Sequence, residues 1–292
     1  MSRPTSHSDH LASAAAGVLV STAAGPLSAP ERAARFADRV AIVIPAFEEA
    51  ANLAELLPCI PAEVCGVPAQ VLVVDDGSVD DSSGAAIRAG AVVARLARNR
   101  GGGAALRAGY ALMVDAGARI VVTMDADGQH RPEDLDRVAE PVLSGRVQLA
   151  QGSRTLGHHD PGVFARELGI AIFNRLVRVL TRVHVSDCSN SFRAIRTEVL
   201  PELDLRQPQF HAAEFLIEAL TRGVSFEEVP VSVLHRRHGV SKKPATVRYG
   251  LGFLAAIVGA WRRSLRRGRS RVRVDGPAVA TPAAERTPAP YR

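Results

Sequence analysis

Aromatic residues make up only 4% of this 292-residue chain, and there is a single tryptophan. Its basic residues are not interleaved with rings. That makes nucleic acid a poor match as a partner, since single-strand binding stacks bases on rings set along a basic groove. Cysteine is equally scarce: Cys59, Cys65 and Cys188 form neither a CxxC pair nor an even framework. The count excludes a disulfide scaffold, fits a reducing compartment and assigns the three thiols to small core positions. A long apolar run is missing as well. The uncharged stretch Tyr249 to Trp261 has 13 residues, short of the about 20 that an ordinary transmembrane helix needs.

Charge of one sign is local rather than general. The net charge is +6, but Arg262, Arg263, Arg266, Arg267, Arg269, Arg271 and Arg273 supply seven positive charges with no acid among them, leaving the rest of the chain at −1. Two readings of the segment from Tyr249 stay open. It is a buried C-terminal core helix with a solvated basic tail, or an interfacial helix with Trp261 at headgroup level and the arginines on anionic lipid.

At 47% hydrophobic the chain can bury a full core, and one domain with appendages is expected. Residues 1–38 are rich in Ala, Ser, Pro and His without periodicity and read as a disordered extension. Leu11 to Ala24 is mildly apolar, but only Arg3 precedes it and Ser and Thr interrupt it, which disfavours a signal peptide. The domain proper is expected over 39–245, an apolar or interfacial helix with a basic flank over 246–268, and a disordered tail over 269–292.

From Val40 onward the pattern alternates. Strand-like runs are Val40–Ile44, Gln70–Val74, Ala91–Ala94 and Ile120–Met124, with helices starting near Glu49, Val79 and Gly103. Such alternation predicts a mainly parallel sheet flanked by helices on both faces, with ligands beyond the carboxyl ends of the strands. Pro45, Asp75-Asp76 and Asp125-Ala126-Asp127 all fall at those ends. Further on, Gln148–Gln151 reads as a strand and Val163–Leu180 as a helix with Phe164, Leu168, Ile172, Leu176 and Leu180 on one face. Another helix is expected from about His211 to Arg222, and an edge strand at Glu227–Val231, consistent with Pro230.

Asp125 and Asp127 alternate off a strand end and can present oxygens to one hard divalent cation, with the Gln129 amide oxygen as a further ligand. A cation held in that way can bridge a diphosphate. Alone, such a pair is a weak signal, since acidic pairs also cap helices, as Pro132-Glu133-Asp134 does downstream.

Taken together, the motifs resemble the family 2 glycosyltransferases, and within them the dolichol-phosphate mannose synthase type. The matching pieces run in order: Val43-Ile-Pro-Ala-Phe-Glu-Glu49 with Asn52-Leu53; Val73-Val-Asp-Asp-Gly-Ser78 with Asp80; Asn99-Arg-Gly101 with Ala104 and Gly109; and Met124-Asp-Ala-Asp-Gly-Gln-His130. The series closes with Gly152-Ser-Arg154, Ser186-Asp187 leading to Phe192-Arg193, and Arg236 with Gly239, Ser241 and Lys242. The resemblance implies an α/β nucleotide-diphospho-sugar transferase (GT-A) fold and a metal-dependent hexosyltransferase. It implies that Pro45, Phe47, Glu49, Val74 and Asp76 line the nucleobase and ribose pocket. Asp125, Asp127 and Gln129, with Ala126 between the carboxylates, would hold Mg²⁺ or Mn²⁺ on the donor diphosphate. Arg236 and Lys242 match a loop that clamps the donor phosphates. Two departures stand out: Phe47 replaces the family's usual tyrosine, and Asn190-Ser191 replaces the Ser-Gly before Phe192.

The acceptor decides the chemistry to look for. A sugar hydroxyl needs a general base, for which Asp187 and Glu214 are the visible options. A polyprenyl monophosphate, with a second pKa of about 6, is largely ionised at neutral pH and needs cationic capture instead. Arg154 is the first candidate for that berth and Arg166 the second. The leading expectation is inverting transfer from GDP-mannose or a UDP-hexose to a polyprenyl phosphate. The enzyme would be cytoplasmic and peripheral to the cytoplasmic face of an anionic membrane, and any intramembrane partner would be a separate protein. The rival readings are a family 2 enzyme with a soluble or polysaccharide hydroxyl acceptor, and a catalytically silent sugar-nucleotide binding module.

Overall fold

The computed structural model describes residues 11, 13–159, 164–236, 238 and 247–267, and the side chains of these except 158, 159, 164–168, 247–249 and 267. In chain order the elements are β1 (Leu19–Thr22), β2 (Gly25–Pro26), α1 (Ala29–Phe36), β3 (Val40–Ala46), α2 (Ala50–Leu56), β4 (Glu63–Val64), β5 (Val67–Asp75), α3 (Ser82–Arg88), β6 (Val92–Arg95) and α4 (Gly102–Asp115). They continue with β7 (Ile120–Thr123), α5 (Leu135–Leu143), β8 (Leu149–His159), α6 (Phe164–Thr181), β9 (Arg193–Arg196), α7 (His211–Thr221), β10 (Phe226–Val233) and α8 (Val247–Arg267).

The strands form one sheet in the order β10-β8-β9-β7-β3-β5-β6-β1-β2, with β4 beside β5. At its centre β7, β3, β5 and β6 run parallel, while β9 is antiparallel to both β7 and β8. Alternate residues of each central strand enter different cores, as the pleat requires. Val43, Leu72, Val74 and Val121 join the cluster under α4, α7 and α8, whereas Ile42, Ile44, Val73 and Val122 join the one under α2 and α5. Strands buried on both faces read as unbroken Val and Ile runs, which is why the sequence displays them so plainly.

Three expectations are corrected. Residues 19–36 are not a disordered extension: β1 pairs antiparallel with β6, and α1 is capped by a Ser28–Glu31 box with Pro30 in its first turn. Only Cys188 is buried; Cys59 and Cys65 are exposed, in a 3₁₀ turn and a tight turn with φ +51°. In α6 Val177 is buried, and Phe173, Leu176 and Leu180 are partly buried against the core, while Ile172 faces outward; the side chains of Phe164 and Leu168 lie outside the described residues. A repeat of strictly four residues overshoots each 3.6-residue turn, so Leu176 and Leu180 reach the core while Ile172 of the same row misses it. The proposed tail 269–292 lies outside the described residues.

The inner face of α8 contributes Phe253, Ala256, Ile257 and Ala260 to the core, and its outer face leaves Leu251, Leu254 and Leu265 exposed beside Arg262 and Arg266. The core reading therefore holds for the inner face, while the outer face is apolar, arginine-flanked and open to solvent. Among the described residues no helix is long and apolar enough to cross a membrane.

Gly109 explains one motif position by packing. A Cβ there would stand 2.6 Å from Val43 Cγ1 and 3.1 Å from Val74 Cγ2, so α4 can lie this close to the sheet only without a side chain. Gly109→Ala should lower stability by about 1–3 kcal/mol in urea unfolding; an unchanged midpoint would contradict the close packing.

Candidate active site

Three adjacent parallel strands, β7, β3 and β5, end side by side, and their carboxyl tips carry Asp125 and Asp127, Pro45 to Glu49, and Asp75-Asp76. The last two tips are stitched together by serines. Glu48 N donates to Ser78 Oγ at 2.9 Å and Glu49 N to Ser82 Oγ at 2.8 Å. Asp75, fully buried, accepts from Ser78 N at 2.8 Å and from the Ser83 hydroxyl. It therefore acts as an internal fastener. Asp80 accepts from Ala50 N and Ser82 N, tying the starts of α2 and α3 together.

Asp76 accepts from Arg100 N at 2.8 Å and Gly101 N at 2.7 Å. Burial raises its pKa, opposed by those two backbone donors. Its neighbour Gly77 has φ +74°, and a Cβ there would stand 2.6 Å from the Arg98 carbonyl carbon. The segment 98–101 closes over the β5 tip only because that position is glycine.

At the β7 tip, Ser191 Oγ donates to Asp125 Oδ1 at 2.8 Å. The departure from Ser-Gly thus has a structural use, since glycine at 191 would leave that oxygen without this donor. His130 packs against Phe192 with ring centroids 4.9 Å apart and accepts from Asp125 N at 3.4 Å. Gln129 N donates to Asp127 Oδ1 at 3.2 Å. The Gln129 side chain donates to Leu234 O at 2.9 Å, and Leu234 N returns a bond to Gln129 O. This pairing draws the chain after β10 over the cleft. There the Arg236 guanidinium ion-pairs with Glu49 and lies 3.5 Å from Asp127 Oδ2. His238 Nε2 meets Glu55 Oε1 at 2.7 Å, and Asn52 donates to His238 O at 3.3 Å.

The sequence-predicted residues sort as follows. Glu49, Asp127, Gln129 and Arg236 come together around the cleft with Asp125 on the same tip, and Pro45, Phe47 and Asp76 stand at the neighbouring strand tips that border it. Val74 does not: its side chain is fully buried in the core against α4, because the residue before the tip points to that face of the sheet. Ala126 is likewise buried beneath the loop, leaving its backbone between the two carboxylates. Arg166 lies in α6, its side chain outside the described residues, and Lys242 falls outside them altogether. The stitching serines and Ser191 were missed as site residues, although Ser78 stood inside a quoted motif.

Arg154, on β8, points its Nε at Asp187 Oδ2 (2.7 Å) and its Nη2 at Asp187 Oδ1 (3.0 Å) and Ser189 Oγ (2.5 Å). Burial opposes the Arg154 charge, but the bonds and charge of Asp187 outweigh it and raise the pKa. Glu228 on β10 accepts from Ser186 N and Asp187 N, so the loop bearing Asp187 is held from both sides. Neither candidate base is poised at the surface. Asp187 is fully buried against Arg154, and Glu214 is fully buried among Arg263 and the backbone of Arg206 and Gln207.

The site suits a hard divalent cation. Asp125 and Asp127 are half-buried carboxylates on one strand tip, and the Arg236 guanidinium lying against Asp127 and Glu49 shows that the cleft attracts positive charge. The bond from Gln129 Nε2 to Leu234 leaves the amide oxygen as the atom through which Gln129 would serve an ion. Among the described residues no group of three or more His, Cys, Asp or Glu could hold a metal. Two carboxylates completed by substrate phosphates is the usual arrangement for Mg²⁺.

Comparison with known proteins bears on the family and the fold. The sequence model of glycosyl transferase family 2 matches residues 41–204. The polyprenol monophosphomannose synthase of Mycolicibacterium smegmatis is 34% identical over 70% of this chain and 80% of that protein. An undecaprenyl-phosphate 4-deoxy-4-formamido-L-arabinose transferase of Aeromonas hydrophila is 30% identical over 75% of this chain and 65% of its own length. Among solved structures, glucosyl-3-phosphoglycerate synthase from Mycobacterium tuberculosis, in complex with Mn²⁺, UDP and glucosyl-3-phosphoglycerate, superposes with a TM-score of 0.62 at 21% identity, covering 90% of this chain and 86% of that one.

Proposed function

The chain belongs to glycosyl transferase family 2, and from that premise we propose that it transfers a hexose from a nucleotide sugar to a polyprenyl monophosphate with inversion at the anomeric carbon. The fold is the GT-A fold, with its mostly parallel sheet flanked by helices. GDP-mannose is the default donor, by likeness to the monophosphomannose synthase, and a UDP-hexose is the alternative.

The observation that carries the acceptor assignment is the state of the two carboxylates that could serve as a base. A hydroxyl acceptor needs one within reach of its proton. Asp187 and Glu214 are both fully buried and held by arginines. An ionised phosphate needs no base. Its oxygen forms a bond to the anomeric carbon while the bond from that carbon to the donor diphosphate breaks, and the electron pair leaves with the nucleoside diphosphate.

Asp125, Asp127 and Gln129 would hold Mg²⁺ or Mn²⁺, which when bound neutralises charge on the departing diphosphate. Arg236, paired with Glu49 and Asp127, exchanges these partners for donor phosphate oxygens in this reading, and Lys242 belongs to the same stretch of sequence. Pro45, Phe47 and Glu49 line the nucleoside side of the cleft, with Asp76 fixing the segment behind it. Arg154, oriented by Asp187, is the berth for the acceptor phosphate, and Arg166 is its second member.

The lipid acceptor also calls for a membrane surface. The outward faces of α6 and α8 expose Ile172, Val179, Leu251, Leu254 and Leu265. Arg175, Arg178, Arg182, Arg262 and Arg266 are exposed on or beside the same helices. Apolar side chains among arginines suit the cytoplasmic face of an anionic bilayer, each cation adding about 1 kcal/mol near its surface.

Asp127→Asn should abolish hexose transfer with Mn²⁺ while leaving thermal unfolding unchanged; near-normal turnover would remove the role given to that carboxylate. Arg154→Lys keeps the charge opposite Asp187 but loses the fork. It should raise the apparent KM for undecaprenyl phosphate about tenfold with little effect on the donor, an expectation scaled to the loss of about one charge-assisted hydrogen bond; a rise confined to the donor would overturn the acceptor role. For the membrane face, Leu251→Glu with Arg262→Glu should sharply reduce flotation with phosphatidylglycerol vesicles, and undiminished flotation would refute the docking surface.

A further inference from the structure

Away from the strand tips, buried charge gathers in one place. Asp204, Glu214 and Glu218 are each at most 2% exposed, a costly arrangement unless the charges are matched. The principal match comes from α8. Arg263 ion-pairs with Glu214 and stands 3.4 Å from Asp204 and 3.8 Å from Glu218. Arg222 and Arg206 add pairs to Glu218 and Asp204. Burial raises the Glu218 carboxyl, and with the opposing pull of Arg222 and Arg263 it stands at about 7.

The caged carboxylates also hold backbone. Glu214 Oε2 accepts from Arg206 N at 2.8 Å and from Gln207 N at 2.7 Å, and Glu218 accepts from Asp204 N at 3.3 Å. That fixes the segment from 204 to 208, which lies directly on the glycine-rich start of α4. Gly103 N donates to Pro208 O at 2.7 Å, and Arg107 Nη1 donates to Gln207 O at 3.0 Å. A Cβ on Gly101 would stand 2.8 Å from Pro208 O, so the two segments abut with no slack. Gly101 N in turn donates to Asp76 at the β5 tip. The ionic cage adds a fixed geometry, running through 206–208 and Gly101 to the donor side of the cleft.

We propose that Arg263 is a positioning residue for nucleotide-sugar binding, acting from α8 through Glu214 and the 204–208 segment on the loop that closes over Asp76. This rests on the nucleotide-sugar reading given above. With the membrane reading proposed above it gives one helix two tasks, since the exposed apolar side chains lie on the face away from Arg263.

The test is binding of UDP and of GDP, each with Mn²⁺ and without lipid, by calorimetry on the full chain and on Arg263→Lys, which keeps the charge and loses the fork. Backbone amide exchange at Arg206 and Gln207 is followed in parallel. The variant should bind whichever nucleotide the wild type binds about tenfold more weakly, in the range expected for a residue within a coupling network, with faster exchange at both amides. Equal affinity in a folded variant overturns the proposal, as does loosened exchange without weaker binding. Should Arg263→Lys fail to fold, Glu214→Gln decides: weaker nucleotide binding supports the route and unchanged affinity refutes it. A wild type that binds neither UDP nor GDP contradicts the nucleotide-sugar reading itself, and the role of Arg263 falls with it; a wild type that binds while the variants match it contradicts the role of Arg263 alone.

Discussion

Negative charge crowded at the tips of three neighbouring parallel strands is the constraint around which this molecule is arranged. Carboxylates this close repel one another unless each finds a donor or a cation. The chain answers in two ways. Asp75 and Asp76 are used up internally, by Ser78, Ser83 and the backbone of Arg100 and Gly101. Asp125, Asp127 and Glu49 are left toward the cleft, with Arg236 drawn in against two of them. The first set builds a rigid floor, and the second is available to exchange partners.

That division gives the proposed reaction its shape. A cleft whose cations and anions are already balanced by the protein can admit a metal-bound diphosphate by re-pairing, with Arg236 moving from carboxylate to phosphate. The acceptor side follows a different rule. There Arg154 is held tightly by a buried Asp187, itself secured by the backbone bonds that its loop donates to Glu228. In the proposed reaction this fixed guanidinium is preorganised for an incoming phosphate.

Much of this was legible in the sequence because buried parallel strands advertise themselves. The Val and Ile runs at 40–44, 70–74 and 120–124 appear as β3, β5 and β7, and Pro45, Asp75-Asp76 and Asp125-Ala126-Asp127 fall together at their carboxyl ends. Less legible were features that depend on partners distant in sequence. β1 is four residues long and exists by pairing with β6, so no periodicity marks it, though the Ser28-Ala-Pro-Glu31 capping box was readable beside it. Val74 looked like a pocket residue by motif and turned out to face the core, since neighbouring strand residues point to opposite faces of the sheet. The outward turn of Ile172, the acidic cage around Arg263 and the burial of Asp187 and Glu214 all arise from tertiary packing. No local pattern encodes them.

The central claim is that a divalent ion shared by the strand-tip aspartates and a nucleoside diphosphate forms the donor site. Electron paramagnetic resonance of Mn²⁺, titrated into the protein with and without UDP or GDP, tests it most directly. The account predicts weak binding of the ion alone and tight, stoichiometric binding once the nucleotide is present, both lost in Asp125→Asn. Tight Mn²⁺ binding that ignores the nucleotide, or that survives this substitution intact, would contradict it.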